Sequence, residues 1–536
     1  MEVYWLFCFR LAMAEVWSEA LKVAGSHPRA HEKYIQYGTA GFRTKAELLD
    51  HVMYRMGLLA VLRSRVKGGA AIGVMITASH NPGPDNGVKL VDPAGEMLEQ
   101  EWEGLATSLA NCPDEALAAE LETLCSQLKV SSTGPSLVVV GRDTRLSSPA
   151  LARAVTHGVA AAGGECRDLG LVTTPQLHYM VVCLNTNGGY GTPTLAGYYH
   201  KLSTAFKSFM ALVGDKGKYK NKVVFDGANG VGAVAMAEFQ PLLAGVLDVS
   251  QVNTGDGELN SGCGADHVKV SQGAPTGLTL DRGVRHVSVD GDSDRVVYYY
   301  QEDVFRLLDG DRIATLLAGH IQHLVKSAGL DKDIKLGLVQ TAYANGSSTA
   351  YIRDKLGVPV SCVPTGVKHL HHEALKFDIG VYFEANGHGT VVFSDRAVEV
   401  IKERGGPKLA TLVDVINQTV GDAISDMLAV ECVLADKGWD VEDWASCYQD
   451  MPNILAKVMV RDRNLVTTRD AERQVVTPAG MQDNINKIVG RYNQARSFVR
   501  PSGTEDCVRV YSEAQTREEA EAVSKEISDM VRQMIG

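Results

Sequence analysis

The 536-residue chain has 45% hydrophobic and 22% charged residues, ordinary for a soluble globular protein, and its length implies about three to five domains. Its net charge of −11 excludes a general nucleic-acid binder, so an anionic substrate must be held by local Arg and Lys. The ten cysteines form no C-x-x-C pair, which fits reduced thiols in the cytoplasm, and no apolar run approaches the roughly 20 residues of a membrane span.

At the N-terminus "VYWLFCFRLAM" has the apolar core of a short signal peptide. It lacks a basic flank and is broken by Arg10, and a start near Met13 explains it equally well. "YGTAGFR" then places Arg43 on a glycine-flanked loop. The buried strand "AAIGVMI" runs into "TASHNPGPDNGVKL" (77–90), which sets Ser79, His80 and Asn81 at a strand end. A turn or helix cap accounts for Ser79 and Asn81 taken alone. The polar stretches around 122–135 and 213–221 read as loops. "SLVVVGRDTR" (136–145) is a strand that offers Arg142 and Arg145 either as functional cations or as structural charges pairing with Asp143, and "PALARAVTHGVAAAG" reads as a helix.

Further on, "KVVFDGANGVGA" (222–233) is a strand and a glycine-rich turn. Its continuation "GVGAVA", with Asp248 downstream, matches a short dinucleotide fingerprint, but "DGANG" occupies the place where the tight phosphate turn should start. "HVSVDGDSDRVVYYY" (286–300) sets Asp290, Asp292 and Asp294 at alternate positions after a strand. An extended segment turns all three carboxylates one way, a hard oxygen set suited to Mg²⁺ or Ca²⁺. Arg295 and Gln301 occupy the positions where an EF-hand needs Gly and Glu, which excludes that calcium loop. "PTGVKHLHH" (364–372) supplies Lys368 beside His369 and His371, without a carboxylate or cysteine at zinc-ligand spacing. In "YFEANGHGT", Glu384, Asn386 and His388 follow a buried strand and can bond sugar hydroxyls. After about residue 440 the pattern changes to a small α+β domain. Within it "RPSGTEDCVR" offers Arg500, Ser502, Gly503 and Thr504, with Arg509 further on, as a phosphate grip.

Strand, turn and helix repeat through the chain, which predicts α/β units on largely parallel sheets with ligand residues just beyond strand carboxyl ends. A serine, a carboxylate-held cation, a sugar reader and an arginine grip suit phosphoryl transfer on a phosphosugar, where catalysis is mostly positioning and charge neutralisation.

In order, "TASHNP", "VDGDSDR", "FEANGH" and "RPSGTED" resemble the four active-site loops of the α-D-phosphohexomutases. In most of that family "GRD" precedes the serine loop. Here "TASHNP" comes first, which, with "QYGTAGFRTKAE" and "TGVKHLHH", resembles the branch acting on N-acetylglucosamine phosphates. The resemblance implies four domains around a central cleft, three similar α/β domains and a smaller α+β one. The corresponding segments are 1–36 as an N-terminal segment, then 37–190, 191–302, 303–440 and 441–536. It implies interconversion of N-acetylglucosamine 6-phosphate and 1-phosphate through a phosphoserine at Ser79 and a sugar bisphosphate, feeding UDP-N-acetylglucosamine synthesis.

By the same resemblance, Asp290, Asp292 and Asp294 hold Mg²⁺ together with the Ser79 phosphoryl group. Arg43, Lys89 and Arg295 serve the reacting groups. Lys368, Glu384, Asn386 and His388 bind the sugar, while Arg500, Ser502, Gly503, Thr504 and Arg509 hold the other phosphate. No further cofactor is implied, and no nucleic-acid or membrane partner. A mutase of glucose or mannose phosphates and a silent sugar-phosphate binder are the competing readings.

Overall fold

The computed structural model describes residues 17–502 and 506–536. The chain gathers into two units, the first from Met1–Ser208, Asn221–Leu307 and Asp414–Leu428, the second from Phe209–Lys220, Leu308–Val413 and Ala429–Gly536.

Two sheets organise the first unit. One contains β1 (Phe42–Lys45), β2 (Ala71–Ile76), β3 (Asp85–Val91), β4 (Leu137–Arg142) and β5 (Glu165–Leu171), in the order β1-β3-β2-β4-β5. The other contains β6 (Lys222–Asp226), β7 (Asp248–Val252), β8 (His286–Val289), β9 (Val296–Gln301) and β10 (Phe305–Leu308), in the order β10-β9-β8-β6-β7. The apolar runs "AIGVMI" and "HVSV" are buried along their whole length, as strands covered on both faces require. The segment Asp414–Leu428 belongs here too: Tyr198 donates a 2.7 Å bond to Asp422, and the Ala423 N–H donates to the Ser293 carbonyl at 3.1 Å.

In the second unit, β11 (Leu336–Thr341), β12 (Val360–Val363), β13 (Ile379–Phe383) and β14 (Gly389–Phe393) form a sheet ordered β12-β11-β13-β14. Then come β15 (Asn453–Met459), a hairpin of β16 (Thr467–Arg469) and β17 (Gln474–Thr477), and the pair β18 (Arg496–Pro501) and β19 (Cys507–Glu513). β15, β19 and β18 make an antiparallel sheet, covered by the helix Arg517–Ile535. Thr516 and Glu519 cap that helix reciprocally, and its Val523, Ile527 and Val531 share a core with Val499, Val508 and Val510.

The three larger sheets repeat one pattern. Three parallel strands (β2, β4, β5; then β8, β6, β7; then β13, β11, β12) carry an antiparallel neighbour, β3, β9 or β14, against the first of them. Each turn from the parallel strand into that neighbour carries one predicted functional loop: residues 77–84, 290–295 and 384–388. The fourth loop, around 502–506, connects β18 and β19. The α/β expectation therefore holds, with mixed rather than purely parallel sheets. The loop expected over 122–135 is corrected: residues up to Leu128 belong to the helix Leu117–Leu128, because Leu117, Leu121, Leu124 and Cys125 fall on one buried stripe. Among the described residues no helix is long and apolar enough to cross a membrane.

Candidate active site

Ser79 stands three residues beyond β2 with φ at +53°, a left-handed conformation that costs a non-glycine residue about 1–2 kcal/mol. Its surroundings hold it there. The Ser79 N–H donates to Thr77 Oγ1 (2.9 Å), and Thr77 donates to Asp143 (2.7 Å), itself ion-paired with Arg145. Arg145 Nη2 and Asn260 Nδ2 each donate to both the Ser79 and Asn81 carbonyls, at 2.6–3.1 Å. The resulting hydroxyl is fully buried, not exposed as a sharp turn at a strand end suggests. It donates a 2.7 Å hydrogen bond to Asp290 Oδ2. His80 is no general base for it: Nδ1 lies 3.5 Å from Oγ, and burial pushes the imidazole down to about 2.

Asp290, Asp292 and Asp294 are buried, and each offers an oxygen within 4.8 Å of the others. They converge by a different route from the extended segment expected of their spacing. The chain turns after β8: Ser293, at φ +62°, donates to the Asp290 carbonyl, and the N–H groups of Asp294 and Arg295 donate to Asp290 Oδ1 at 3.1 and 3.2 Å. Thr174 fixes Asp292 twice, through Oγ1 to Oδ2 (2.7 Å) and N–H to the carbonyl (3.1 Å). Burial, then Asp294 and Asp292, push the Asp290 carboxyl well above its ordinary range. Asp292 Oδ1 is buried without a hydrogen-bond partner. Three close carboxylates with an orphaned oxygen fit a hard divalent cation such as Mg²⁺.

The predicted cations surround this trio. Lys89 Nζ lies 3.1 Å from both Asp292 and Asp294; burial pulls its pKa down, but the two aspartates outweigh that and hold it raised. Arg295 Nε is 3.8 Å from Asp290 and 3.9 Å from Asp294. Arg43 feels the same cluster, its pKa lowered by burial and then by Arg295. The glycines of "GVGAVA" serve this site too. A Cβ on Gly230 would meet the Gly291 carbonyl at 2.6 Å, and one on Gly232 the Val289 side chain at 2.9 Å. They admit the aspartate loop, which leaves the dinucleotide fingerprint without a role, and Asp248 is exposed at the start of β7.

The second unit holds the remaining predicted residues. In the 384–388 turn, Glu384 Oε2 accepts from Asn386 Nδ2 (3.2 Å), while the His388 N–H donates to Asn386 Oδ1 (2.9 Å). Glu384 Oε1 accepts from the Gly366 N–H (3.2 Å), joining this turn to the one that leads into Lys368. Lys368 is buried at the start of the helix Val367–Ala374. His371 is half-buried, with Nδ1 3.1 Å from Tyr382 and its pKa pushed down to about 4 by burial. Among the described residues the candidate metal cluster is the aspartate trio.

On the small sheet, Lys457, Arg509 and Arg500 lie opposite one another across β15, β19 and β18. Like charges in register repel, and an anion relieves them. Arg500 Nε donates to Tyr343 (2.9 Å) and Nη1 to Glu472 (2.9 Å). Ser502 closes the loop through its N–H to the Cys507 carbonyl (2.9 Å), whereas Gly503 and Thr504 lie outside the described residues.

Sequence reasoning left the role of Arg145 open and missed Thr174, Asn260, Tyr343 and Glu472. No motif marks them. Thr174, Asn260, Tyr343 and Glu472 each act through a hydrogen bond to a residue between 107 and 181 positions away, a relation that the folded chain alone makes visible.

Three known families match parts of the chain. Residues 53–112 and 114–190 match phosphoglucomutase/phosphomannomutase, alpha/beta/alpha domain I. Residues 309–439 match phosphoacetylglucosamine mutase AMG1, domain III, and residues 455–530 match the phosphoglucomutase/phosphomannomutase C-terminal domain. Phosphoacetylglucosamine mutase of Sus scrofa is 50% identical over 528 residues, covering 96% of this chain and 97% of its own. Aspergillus fumigatus N-acetylphosphoglucosamine mutase in complex with GlcNAc-6P and magnesium has a TM-score of 0.93 at 49% identity, covering 97% of this chain and 99% of its own. A serine-to-alanine form of that enzyme in complex with glucose 1,6-bisphosphate has a TM-score of 0.92 at 48% identity, covering 97% and 98%. Fold, site and relatives agree: the chain belongs to the phosphoacetylglucosamine mutases of the α-D-phosphohexomutase superfamily.

Proposed function

We propose that this protein interconverts N-acetylglucosamine 6-phosphate and N-acetylglucosamine 1-phosphate, carrying a phosphoryl group on Ser79. The observation that carries this reading is the buried Ser79 hydroxyl, held in a left-handed turn 2.7 Å from Asp290 of the aspartate trio.

The phosphorylated Ser79 gives its phosphoryl group to the free hydroxyl of the bound sugar phosphate. The Ser79 O–P bond breaks, a new P–O bond forms on the sugar, and the proton of the sugar hydroxyl ends on the released Ser79 oxygen. The resulting bisphosphate reverses its orientation and returns the other phosphoryl group to Ser79. Asp290, Asp292 and Asp294 hold Mg²⁺, which when bound withdraws charge from the phosphoryl group. Lys89, Arg43 and Arg295 stabilise the charge spread over the equatorial oxygens, and Lys89 and Arg43 are the groups placed to assist proton transfer. Glu384, Asn386 and His388, with Lys368, read the sugar. Arg500, Ser502, Gly503, Thr504 and Arg509 hold the phosphate that is not moving.

The repeated strand order supports four domains with boundaries near residues 190, 302 and 440. We place the reaction in the cytoplasm, where it feeds UDP-N-acetylglucosamine synthesis. The nine described cysteines, all free thiols, accord with a reducing compartment.

³¹P NMR of the protein with Mg²⁺, a trace of sugar bisphosphate and one hexose phosphate at a time tests the substrate. The 1-phosphate is expected to appear faster from N-acetylglucosamine 6-phosphate than from glucose 6-phosphate. The reverse preference removes the substrate assignment, and no conversion of either removes the activity.

A further inference from the structure

The hairpin β16–β17 belongs to none of the loops assigned above. Its turn carries three consecutive non-glycine residues in the left-handed region: Asp470 (φ +55°), Ala471 (+53°) and Glu472 (+66°). Such a run costs free energy at every residue and persists only where its surroundings impose it. Arg473 helps to fix the turn, its N–H donating to the Asp470 carbonyl (3.1 Å) and Nη2 to the Asp470 carboxylate (2.6 Å).

This conformation delivers Glu472 to two other loops at once. Its Oε1 accepts from Arg500 Nη1 at 2.9 Å, and its Oε2 accepts from Thr365 N–H at 2.9 Å and Thr365 Oγ1 at 2.5 Å. Thr365 is followed by Gly366, whose N–H donates to Glu384 Oε1 at 3.2 Å. Hydrogen bonds and one peptide link therefore run unbroken from the phosphate-holding Arg500 through Glu472 and Thr365 to the sugar-reading Glu384. The pair is partly shielded, the Arg500 and Glu472 side chains being 19% and 17% exposed, so it is worth more than a surface ion pair. Tyr343 accepts from Arg500 Nε and so fixes the guanidinium plane.

We propose that Glu472 is a positioning residue that couples phosphate holding to sugar recognition. By pinning Arg500 and the 365–366 turn with one carboxylate, it sets the spacing between the phosphate grip and Glu384. A sugar phosphate engages both only if its ring and its phosphate lie at that spacing. The inference rests on Arg500 and Glu384 contacting substrate, as proposed above.

The test is steady-state kinetics of the full-length Mg²⁺ enzyme, comparing Glu472→Ala with the unaltered protein on N-acetylglucosamine 6-phosphate and glucose 6-phosphate. Losing one positioned charge-assisted contact is expected to raise KM for the acetylated substrate about ten-fold, with kcat within about three-fold. Selectivity between the two sugars, as the ratio of kcat/KM values, should fall at least about three-fold, because the Glu384 turn loses its anchor. Glu472→Gln, which keeps an acceptor but not both bonds at full charge, should fall between the two. An unchanged melting temperature in either variant separates positioning from folding. A KM within two-fold of the unaltered enzyme, or equal losses on both sugars, overturns the coupling. Arg500→Ala is measured alongside. If its KM rises while that of Glu472→Ala does not, the coupling alone falls. If Arg500→Ala leaves KM unchanged, the phosphate-grip reading falls and the coupling with it.

Discussion

The two units divide the chemistry between a dry site and a half-open one. In the first, Ser79 and the three aspartates are all at most 3% exposed, and every nearby backbone kink is held by several hydrogen bonds. In the second, Glu384, Asn386 and Arg500 are partly exposed, and their bonds run to one another and to neighbouring turns. Bond making requires fixed charges in a low-dielectric setting, where each is worth most and reorganises least. On the roles proposed above, recognition must accept a phosphosugar presented from either end; Glu384, Asn386 and Arg500 stay partly exposed, whereas Lys368 and His388 are buried. The 77–84, 290–295 and 384–388 loops sit at the same step of the same strand pattern. One scaffold position thus serves opposite demands according to what buries it.

The sharpest break in that comparison is Ser79→Ala, which is expected to reduce turnover to background while the melting temperature stays within a few degrees of the unaltered protein. Next is the cation. Chelation by excess EDTA is expected to stop transfer and Mg²⁺ to restore it, and Asp292→Asn should lower kcat by about 10²–10³-fold. Activity persisting in EDTA would take the aspartate trio out of the reaction. On the recognition side, Glu384→Gln should act mostly through KM, lowering kcat/KM about ten- to hundred-fold on N-acetylglucosamine 6-phosphate. A kcat loss as large as that of Asp292→Asn would erase the distinction between the units.

The smallest effect is on stability. His51 in the first unit and His371 in the second are each held down to about 4 by burial, below the ordinary value of 6.5. Between those values the unfolded chain binds protons that the native protein refuses, so stability falls as pH drops from about 6.5 toward 4. Each histidine should contribute at most about 3 kcal/mol. Urea unfolding across that range measures the slope, and His371→Gln should flatten it.

Much of this was legible in the sequence because strand ends and loop motifs are local. "AAIGVMI" before Ser79, the alternate aspartates after "HVSV" and the arginine before "PSG" all stand where the structure has them. What the sequence hid depends on contacts between distant segments. Asn260 lies 181 positions from Ser79, and Glu472 lies 107 from Thr365. Burial is hidden in the same way: the residues around Ser79 suggest an open turn, and only packing against the aspartate and Asn260 segments closes it. The left-handed run at Asp470, Ala471 and Glu472 contains no glycine to signal it.

The most direct test of the central claim is to locate the phosphoryl group. The protein is incubated with glucose 1,6-bisphosphate and Mg²⁺, digested, and mapped by mass spectrometry. Phosphate on Ser79, discharged when N-acetylglucosamine 6-phosphate is added, is the predicted result. An enzyme that turns over with Ser79 unmodified at every stage would contradict it.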